Sequence, residues 1–237
     1  MTTRRDRQNH ELRPLHVEVG VQRQAAGSCL IAFGNTRVLC AATIEPVAPK
    51  WKTEPGGWVT AEYAMLPGSG DRRVPRRENG RATEIARLIG RSLRAAVDLP
   101  ALGPCTITVD CDVLDADGGT RTASITGGWI ALWLAAERLV AQGKLQSNPV
   151  VRPIAAVSVG MVAGEARLDL EYIEDSQAGS DINVVGDGAG ALIEVQGTAE
   201  TAAFSRAELN GLLDLAEAGI GQLVALQRRH TSERRPG

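Results

Sequence analysis

The stretch CTITVDCDVLDADGGTRTASITGGWIALWLAAERLVAQ, residues 105–142, holds two kinds of structure joined by a glycine-rich bend. Residues 105–113 alternate apolar and polar side chains, the pattern of a strand with one face inward. Residues 126–142 are apolar nearly all round and are stopped by Gly143, which reads as a central, buried helix. Working upstream, Val17, Val19 and Val21 alternate with polar neighbours, and residues 28–33 and 36–44 flank Gly34-Asn35 as a hairpin. Residues 58–65 read as another strand, and residues 67–80, rich in Gly, Pro and Arg, as a long exposed loop. Residues 83–97 form a helix with Ile85, Leu88, Ile89, Ala96 and Val97 on one face and Arg87, Arg91 and Arg94 on another.

Working downstream, a second half begins at Ile154 after the turn-rich residues 146–153. Strands are expected over 155–162 and 166–173 around Gly164, and over 182–185 and 191–196 around the turn run Gly186-Asp187-Gly188-Ala189-Gly190. Ser205 and Glu208 make a capping box for a last helix reaching about residue 229. Strands, helices, strands, helix is an α+β order rather than strict βαβ alternation. It divides into halves of similar plan, 11–142 and 154–227, each with hairpins first and a helix last.

Of the 237 residues, 43% are hydrophobic and 23% charged, an ordinary globular balance. Aromatics supply only 3%, so the core must be built from Leu, Ile, Val and Ala. Residues 1–15 are polar and charged, with no apolar segment of the signal-peptide kind, and no uncharged apolar run reaches the ~18 residues of a membrane helix. A cytoplasmic protein with no membrane partner is expected. Cys29, Cys40, Cys105 and Cys111 lack CxxC spacing and lie among strand formers, which points to buried reduced thiols before a disulfide or zinc site.

Net charge is −2, yet residues 72–94 hold eight arginines against two glutamates, a local balance of +6. Arg72, Arg73, Arg76 and Arg77 fall in the Gly/Pro-rich loop, where long side chains reach a nucleic-acid backbone without burial cost. A solvated helix face in a chain with 23 Arg and only 3 Lys accounts for the charge equally well.

The bend itself, Asp117-Gly118-Gly119-Thr120-Arg121-Thr122-Ala123-Ser124, carries chemistry. Two glycines let backbone approach an anion, and free N–H groups near a helix start point toward it. Thr120, Thr122, Ser124 and Thr126 offer hydroxyls, and Arg121 a charged fork that fits phosphate. A tight strand-to-helix turn with satisfied hydroxyls explains the glycines and threonines too. It does not explain an arginine where the positive helix end disfavours one. The Walker pattern GxxxxGK[ST] is absent.

Glu171, Glu174, Asp175 and Asp181 surround a small-residue turn, across which Asp175 and Asp181 can meet. A carboxylate pair facing a phosphate suits Mg²⁺, which keeps waters and takes one or two protein oxygens. Solvated loop acids are the plainer reading. Asp110 and Asp112 alternate onto one strand face, and spacing leaves their role open.

CDVLDADGGTRTA (111–123) resembles the signature segment of the ribonuclease PH family. FGNTRVLC (33–40), TAEYAMLP (60–67), Glu84-Ile85 with RLIGR (87–91), DLEY (169–172) with Glu174-Asp175, DINVV (181–185) and EVQGTAE (194–200) resemble it as well. The match keeps one order from residue 12 to residue 227. It implies the family's α+β fold, a homo-hexameric ring built as a trimer of dimers, and phosphorolysis. In that reaction inorganic phosphate attacks the terminal phosphodiester of an RNA 3′ end, tRNA precursors above all, and releases a nucleoside diphosphate. Carried over, the phosphate pocket is Arg81, Gly119, Thr120 and Arg121, with Asp175 and Asp181 as the metal or acid–base pair for Mg²⁺. No side-chain nucleophile is needed, which agrees with His10, His16 and His230 lying near the termini. The alternative is a non-catalytic RNA-binding ring subunit of an exosome-like complex; such subunits lose these arginines or acids. Two departures stand out. Asp115 occupies a position usually held by glutamine, beside the phosphate loop. The loop after Pro67, where the family holds structured RNA, is several residues short, with Gly68 for a common arginine.

Overall fold

The computed structural model describes residues 4, 6–76, 80–200 and 203–232. Alternation in the first half yields strands β1 (Leu15–Val19), β2 (Gly27–Phe33), β3 (Thr36–Glu45), β4 (Trp58–Met65) and β5 (Thr106–Asp115), with helices α1 (Gly80–Arg94) and α2 (Thr120–Ala141). The second half comprises β6 (Ala155–Val162), β7 (Glu165–Leu168), the short α3 (Tyr172–Asp175), β8 (Ser180–Gly186), β9 (Leu192–Ala199) and α4 (Arg206–Ser232). The fold is α+β.

Gly34-Asn35 closes the β2–β3 hairpin, with Phe33 paired to Thr36. The first sheet runs β1-β2-β3-β5-β4 and is antiparallel except between β4 and β5. Parallel neighbours need a crossover, and α1 supplies it, so one βαβ unit is embedded where the element order gave none. The second sheet, β7-β6-β8-β9, is antiparallel throughout.

Helix α2 packs on β2, β3 and β6, and so serves both sheets; its buried residues include Ile125, Trp129, Ile130, Ala131 and Leu132. Each such large apolar side chain contributes ~1.5–3 kcal/mol by leaving water. Helix α4 is long and apolar enough by composition alone to cross a membrane. Its apolar stripe (Leu212, Ala216, Ile220, Leu223, Val224) is buried against β6, β7, β8 and α2. Buried Gln227 fastens it by donating to Thr126 O and Ile154 O at 3.0 and 2.9 Å. The capping box forms as read: Ser205 N–H donates to Glu208, and Glu208 N–H to Ser205 Oγ.

All four cysteines are buried and free. Cys29, Cys40 and Cys111 form a row across β2, β3 and β5, where the hydrogen bond with Cys111 and burial push the Cys40 thiol well up.

Strand β1 ends at Val19, short of Val21, and β5, β8 and β9 run past the bounds read for them; three elements differ more. Helix α2 starts at Thr120, not Thr126, so the bend is only residues 116–119. Helix α1 lies three residues earlier at each end, and residues 95–97 follow it as turns. The strand expected to reach Ile173 stops at Leu168, because Asp169 takes a left-handed φ of 55° and Glu171 then caps α3 by a capping box with Glu174.

Candidate active site

The bend between β5 and α2 is held in left-handed backbone, with φ of 76° at Gly118 and 67° at Gly119. A Cβ at Gly118 would stand 2.6 Å from Leu170 O and 2.8 Å from Tyr172 N, so glycine is required both by conformation and by space. Asp117 anchors the bend through its N–H to Thr36 Oγ1 (2.9 Å) and by accepting from Asn35 Nδ2 (3.1 Å) and Tyr172 N (3.3 Å). Gly119 is the N-cap of α2, which has no side-chain cap and no acidic residue in its first turn. The opening N–H groups of this 22-residue helix thus face out with the positive end of its dipole.

Of the four hydroxyls expected to bind anion, the structure leaves one. Thr122 Oγ1 donates to Gly119 O, Ser124 Oγ to Thr120 O, and Thr126 Oγ1 pairs with Ala156; all three residues are buried. Thr120 Oγ1 alone faces the site, 2.9 Å from the Tyr63 hydroxyl. Arg121, one residue on, donates from Nη1 to Gln196 Oε1 at 2.8 Å and lies 3.9 Å from Glu84 Oε1. Gln196 Nε2 donates in turn to Glu84 at 2.9 Å, so α1, α2 and β9 hold this guanidinium together.

Asp175 ends α3, and Asp181 lies on β8. Burial pushes both carboxyls up. Asp181 reaches about 6, with the Asp175 charge the next cause, while Arg121 and an Asn183 hydrogen bond pull it back. Arg121 and Arg81 pull Asp175 down, and Glu200 pushes it up. Burial raises the Tyr63 phenol, and Thr120, Arg81 and Arg121 oppose it. Arg81, Arg121, Tyr63, Asp175 and Asp181 therefore share one electrostatic neighbourhood. Asp181 Oδ1 is buried without a hydrogen-bond partner, whereas Oδ2 accepts from Asn183 at 3.4 Å. An orphaned carboxylate oxygen beside a second carboxylate suits a hard cation. Among the described residues no three or more His, Cys, Asp or Glu gather as a metal cage.

The other acids of the cluster have different work. Glu174 is buried and accepts from Arg4 at 2.6 and 2.8 Å and from Arg167 at 2.8 Å. Burial alone would raise its carboxyl; the arginines outweigh burial and hold it at about 2. Glu171 caps α3. Asp115 forms an ion pair with Arg37 across β3 and β5, so its charge is matched away from the phosphate loop. Burial raises Asp110 and Asp112, and the Arg76 charge opposes the rise at Asp112.

Arg81 and Arg76 line a cavity of about 840 Å³ that Tyr63, Arg87 and Asp112 also border, between β4, α1 and the loop before α1. The helix arginines are only partly available: Arg91 is paired with Glu194, and Arg94 stacks 4.4 Å over Trp58 while donating to Val59 O. Arg72 and Arg73 are exposed and do not border the cavity; Arg77 lies outside the described residues. Tyr63, Glu84, Gln196 and Arg13 are not singled out by the sequence, although the first three occur in its family-like segments.

The chain is similar to known proteins along almost its whole length. The profile described as 3′ exoribonuclease family, domain 1, matches residues 11–136, and that for domain 2 matches residues 152–219. The chain is 53% identical over 232 residues to the ribonuclease PH of Roseobacter denitrificans, covering 95% of this chain and 98% of that one. It is also 53% identical to the ribonuclease PH of Crocosphaera subtropica, covering 96% of each. Among solved structures, rice Rrp46 superposes with a TM-score of 0.79 at 19% identity, over 94% of this chain and 97% of that one. A chain of the Archaeoglobus fulgidus exosome with RNA bound to the active site gives 0.81 at 21%, over 93% and 90%. By both of its halves, and by 53% identity over nearly its whole length, this chain belongs to the ribonuclease PH family of 3′ exoribonucleases.

Proposed function

We propose that the protein is a phosphorolytic 3′-to-5′ exoribonuclease that trims RNA 3′ ends, tRNA precursors above all, by transferring terminal nucleotides to inorganic phosphate. The observation that carries this reading is the uncapped start of α2, with Thr120 and Arg121, set beside Arg81 and facing the Asp175–Asp181 pair.

A phosphate oxygen attacks the phosphorus of the last phosphodiester, the bond from that phosphorus to the preceding 3′ oxygen breaks, and a nucleoside diphosphate leaves. Two anions must approach, so the main task is neutralisation and in-line placement. Arg121, fixed by Gln196, presents its remaining N–H groups and its charge. The Gly119–Thr120 backbone adds donors at the positive end of α2, and Arg81 closes the pocket from α1. Asp175 and Asp181 would hold Mg²⁺, which when bound supplies positive charge to the reacting phosphates. Asp181, raised to about 6, is mostly ionised at neutral pH and is free for that role. The exposed Arg72, Arg73 and Arg76, with Arg77, would hold the RNA body. A cytoplasmic homo-hexameric ring, a trimer of dimers, is the assembly that the family likeness supports.

The test is incubation of a 3′-extended tRNA with and without phosphate. Nucleoside diphosphates appearing only with phosphate are expected; monophosphates released equally fast in phosphate-free buffer would refute the reading.

A further inference from the structure

Beneath the bend lies an ion pair that joins the two halves. Arg13 precedes β1, and Asp169 follows β7; they are 4% and 0% exposed. The pair is bidentate, with Arg13 Nε to Asp169 Oδ2 at 3.0 Å and Nη2 to Oδ1 at 2.8 Å, and the Arg13 N–H also donates to Oδ2 at 2.8 Å. The outer edge of the same guanidinium grips the bend: Nη1 donates to Asp117 O at 2.5 Å and Nη2 to Gly118 O at 3.3 Å. Thr36 Oγ1 donates to Gly118 O at 2.6 Å from another side.

In a planar trans peptide the N–H points opposite to the C=O. Drawing the Asp117 and Gly118 carbonyls onto Arg13 and Thr36 therefore turns the Gly118 and Gly119 N–H groups away from them. Left-handed Gly119 is followed by right-handed Thr120 at the start of α2, the alternation in which successive N–H groups form an anion-binding concavity. Asp169 itself is held at a φ of 55°, which a non-glycine residue keeps only where its surroundings impose it. Arg7 adds a second arginine to the carboxylate, 3.6 Å from Asp169 Oδ2, and reaches Glu174 at 3.4 Å, next to Asp175.

We propose that Arg13 and Asp169 are positioning residues for the phosphate co-substrate: their buried pair clamps the carbonyls of the bend so that its N–H groups meet phosphate, and ties that bend to the α3 segment carrying Asp175. The proposal rests on the reading of the bend as a phosphate pocket. Neither residue touches phosphate, so their effect is on phosphate affinity and turnover and not on RNA holding.

The experiment uses the assembled enzyme with Arg13→Lys, Asp169→Asn and Thr36→Val, the last removing the hydroxyl clamp without disturbing buried charge. Four readouts are compared with the wild type: KM for phosphate, kcat, the Kd for inorganic phosphate by calorimetry, and the Kd for RNA by anisotropy without phosphate. In each variant KM and Kd for phosphate should rise about tenfold or more, the scale of lost hydrogen bonds to an anion. The RNA Kd should stay within about twofold, since the basic loop is untouched. Folded variants with wild-type phosphate KM would overturn the proposal, as would phosphate and RNA affinities falling together. If the charge-pair variants fail to fold, Thr36→Val decides by the same criterion. Phosphate-independent trimming by the wild type would refute the functional reading itself, while calorimetry still decides whether the clamp shapes the bend's affinity for phosphate.

Discussion

Asp181 concentrates the residue-scale chemistry, because its Oδ1 has no partner and its carboxyl is pushed up to about 6, by burial first and the Asp175 charge second. An ordinary Asp titrates at about 3.9. A raised folded value means that the folded state binds the extra proton between those limits, and the ionised form costs stability above them. Only that ionised form can hold a cation, so Mg²⁺ affinity should fall by about tenfold per pH unit below about 6. Calorimetric Mg²⁺ titration over that window checks this, and a flat profile would contradict it. Asp175→Asn removes the like charge, so carboxylate NMR should show the Asp181 midpoint moving down; an unmoved midpoint would deny that the two are coupled. At Arg121, replacement by Ala should lower kcat/KM for phosphate roughly ten- to a hundredfold, the size of a charge-assisted hydrogen bond. Lys should rescue poorly, since it keeps the charge but cannot serve Gln196 and phosphate with one planar fork.

The short helix α3 owes its place to Glu174, whose carboxylate is surrounded by Arg4, Arg7 and Arg167. Held at about 2, below the ordinary value of about 4.3, this group contributes stability that is present above the ordinary value and lost as pH falls toward 2. Glu174→Gln leaves the buried arginines without their counter-charge, a change that costs ~3–5 kcal/mol and lowers Tm by roughly 6–20 °C. Turnover should fall with it, because Asp175 is the next residue. A Tm unchanged by Glu174→Gln would mean that α3 is anchored otherwise. Strands β4 and β6 were legible to the residue, since each is a clear run bounded by turn formers. The start of α2 was not legible, because its N-cap is Gly119 with no capping side chain, and a Thr/Ser-rich first turn looks like loop. Gly119, Thr120 and Arg121 could be read as a group since they are consecutive, and Asp175 with Asp181 since one turn separates them. Tyr63 and Gln196 could not, since their partners Thr120 and Arg121 lie 57 and 75 residues away and meet them only through the crossing of β4, α2 and β9.

At the scale of the molecule, the proposed division of labour gives RNA holding to the exposed arginines before α1 and chemistry to the half-buried bend beside Tyr63, with Arg76 and Arg81 on one cavity joining the two. Replacing Arg72, Arg73, Arg76 and Arg77 by Ser should weaken binding of a tRNA precursor and flatten its salt dependence, by ~0.7–0.9 in log–log slope for each phosphate that the loop no longer neutralises. Turnover of a short oligonucleotide should survive, and sedimentation should show the assembly intact. A variant that falls apart would make the patch a subunit interface; an intact one with unchanged tRNA affinity would make it a solvated surface. The central claim, that phosphate is the nucleophile, is tested most directly with oxygen-18-labelled phosphate and an RNA 3′ end. Mass spectrometry should find the labelled oxygens carried into the β-phosphate and bridging oxygen of the released nucleoside diphosphate. Monophosphates that take their new oxygen from water, with the labelled phosphate untouched, would contradict it.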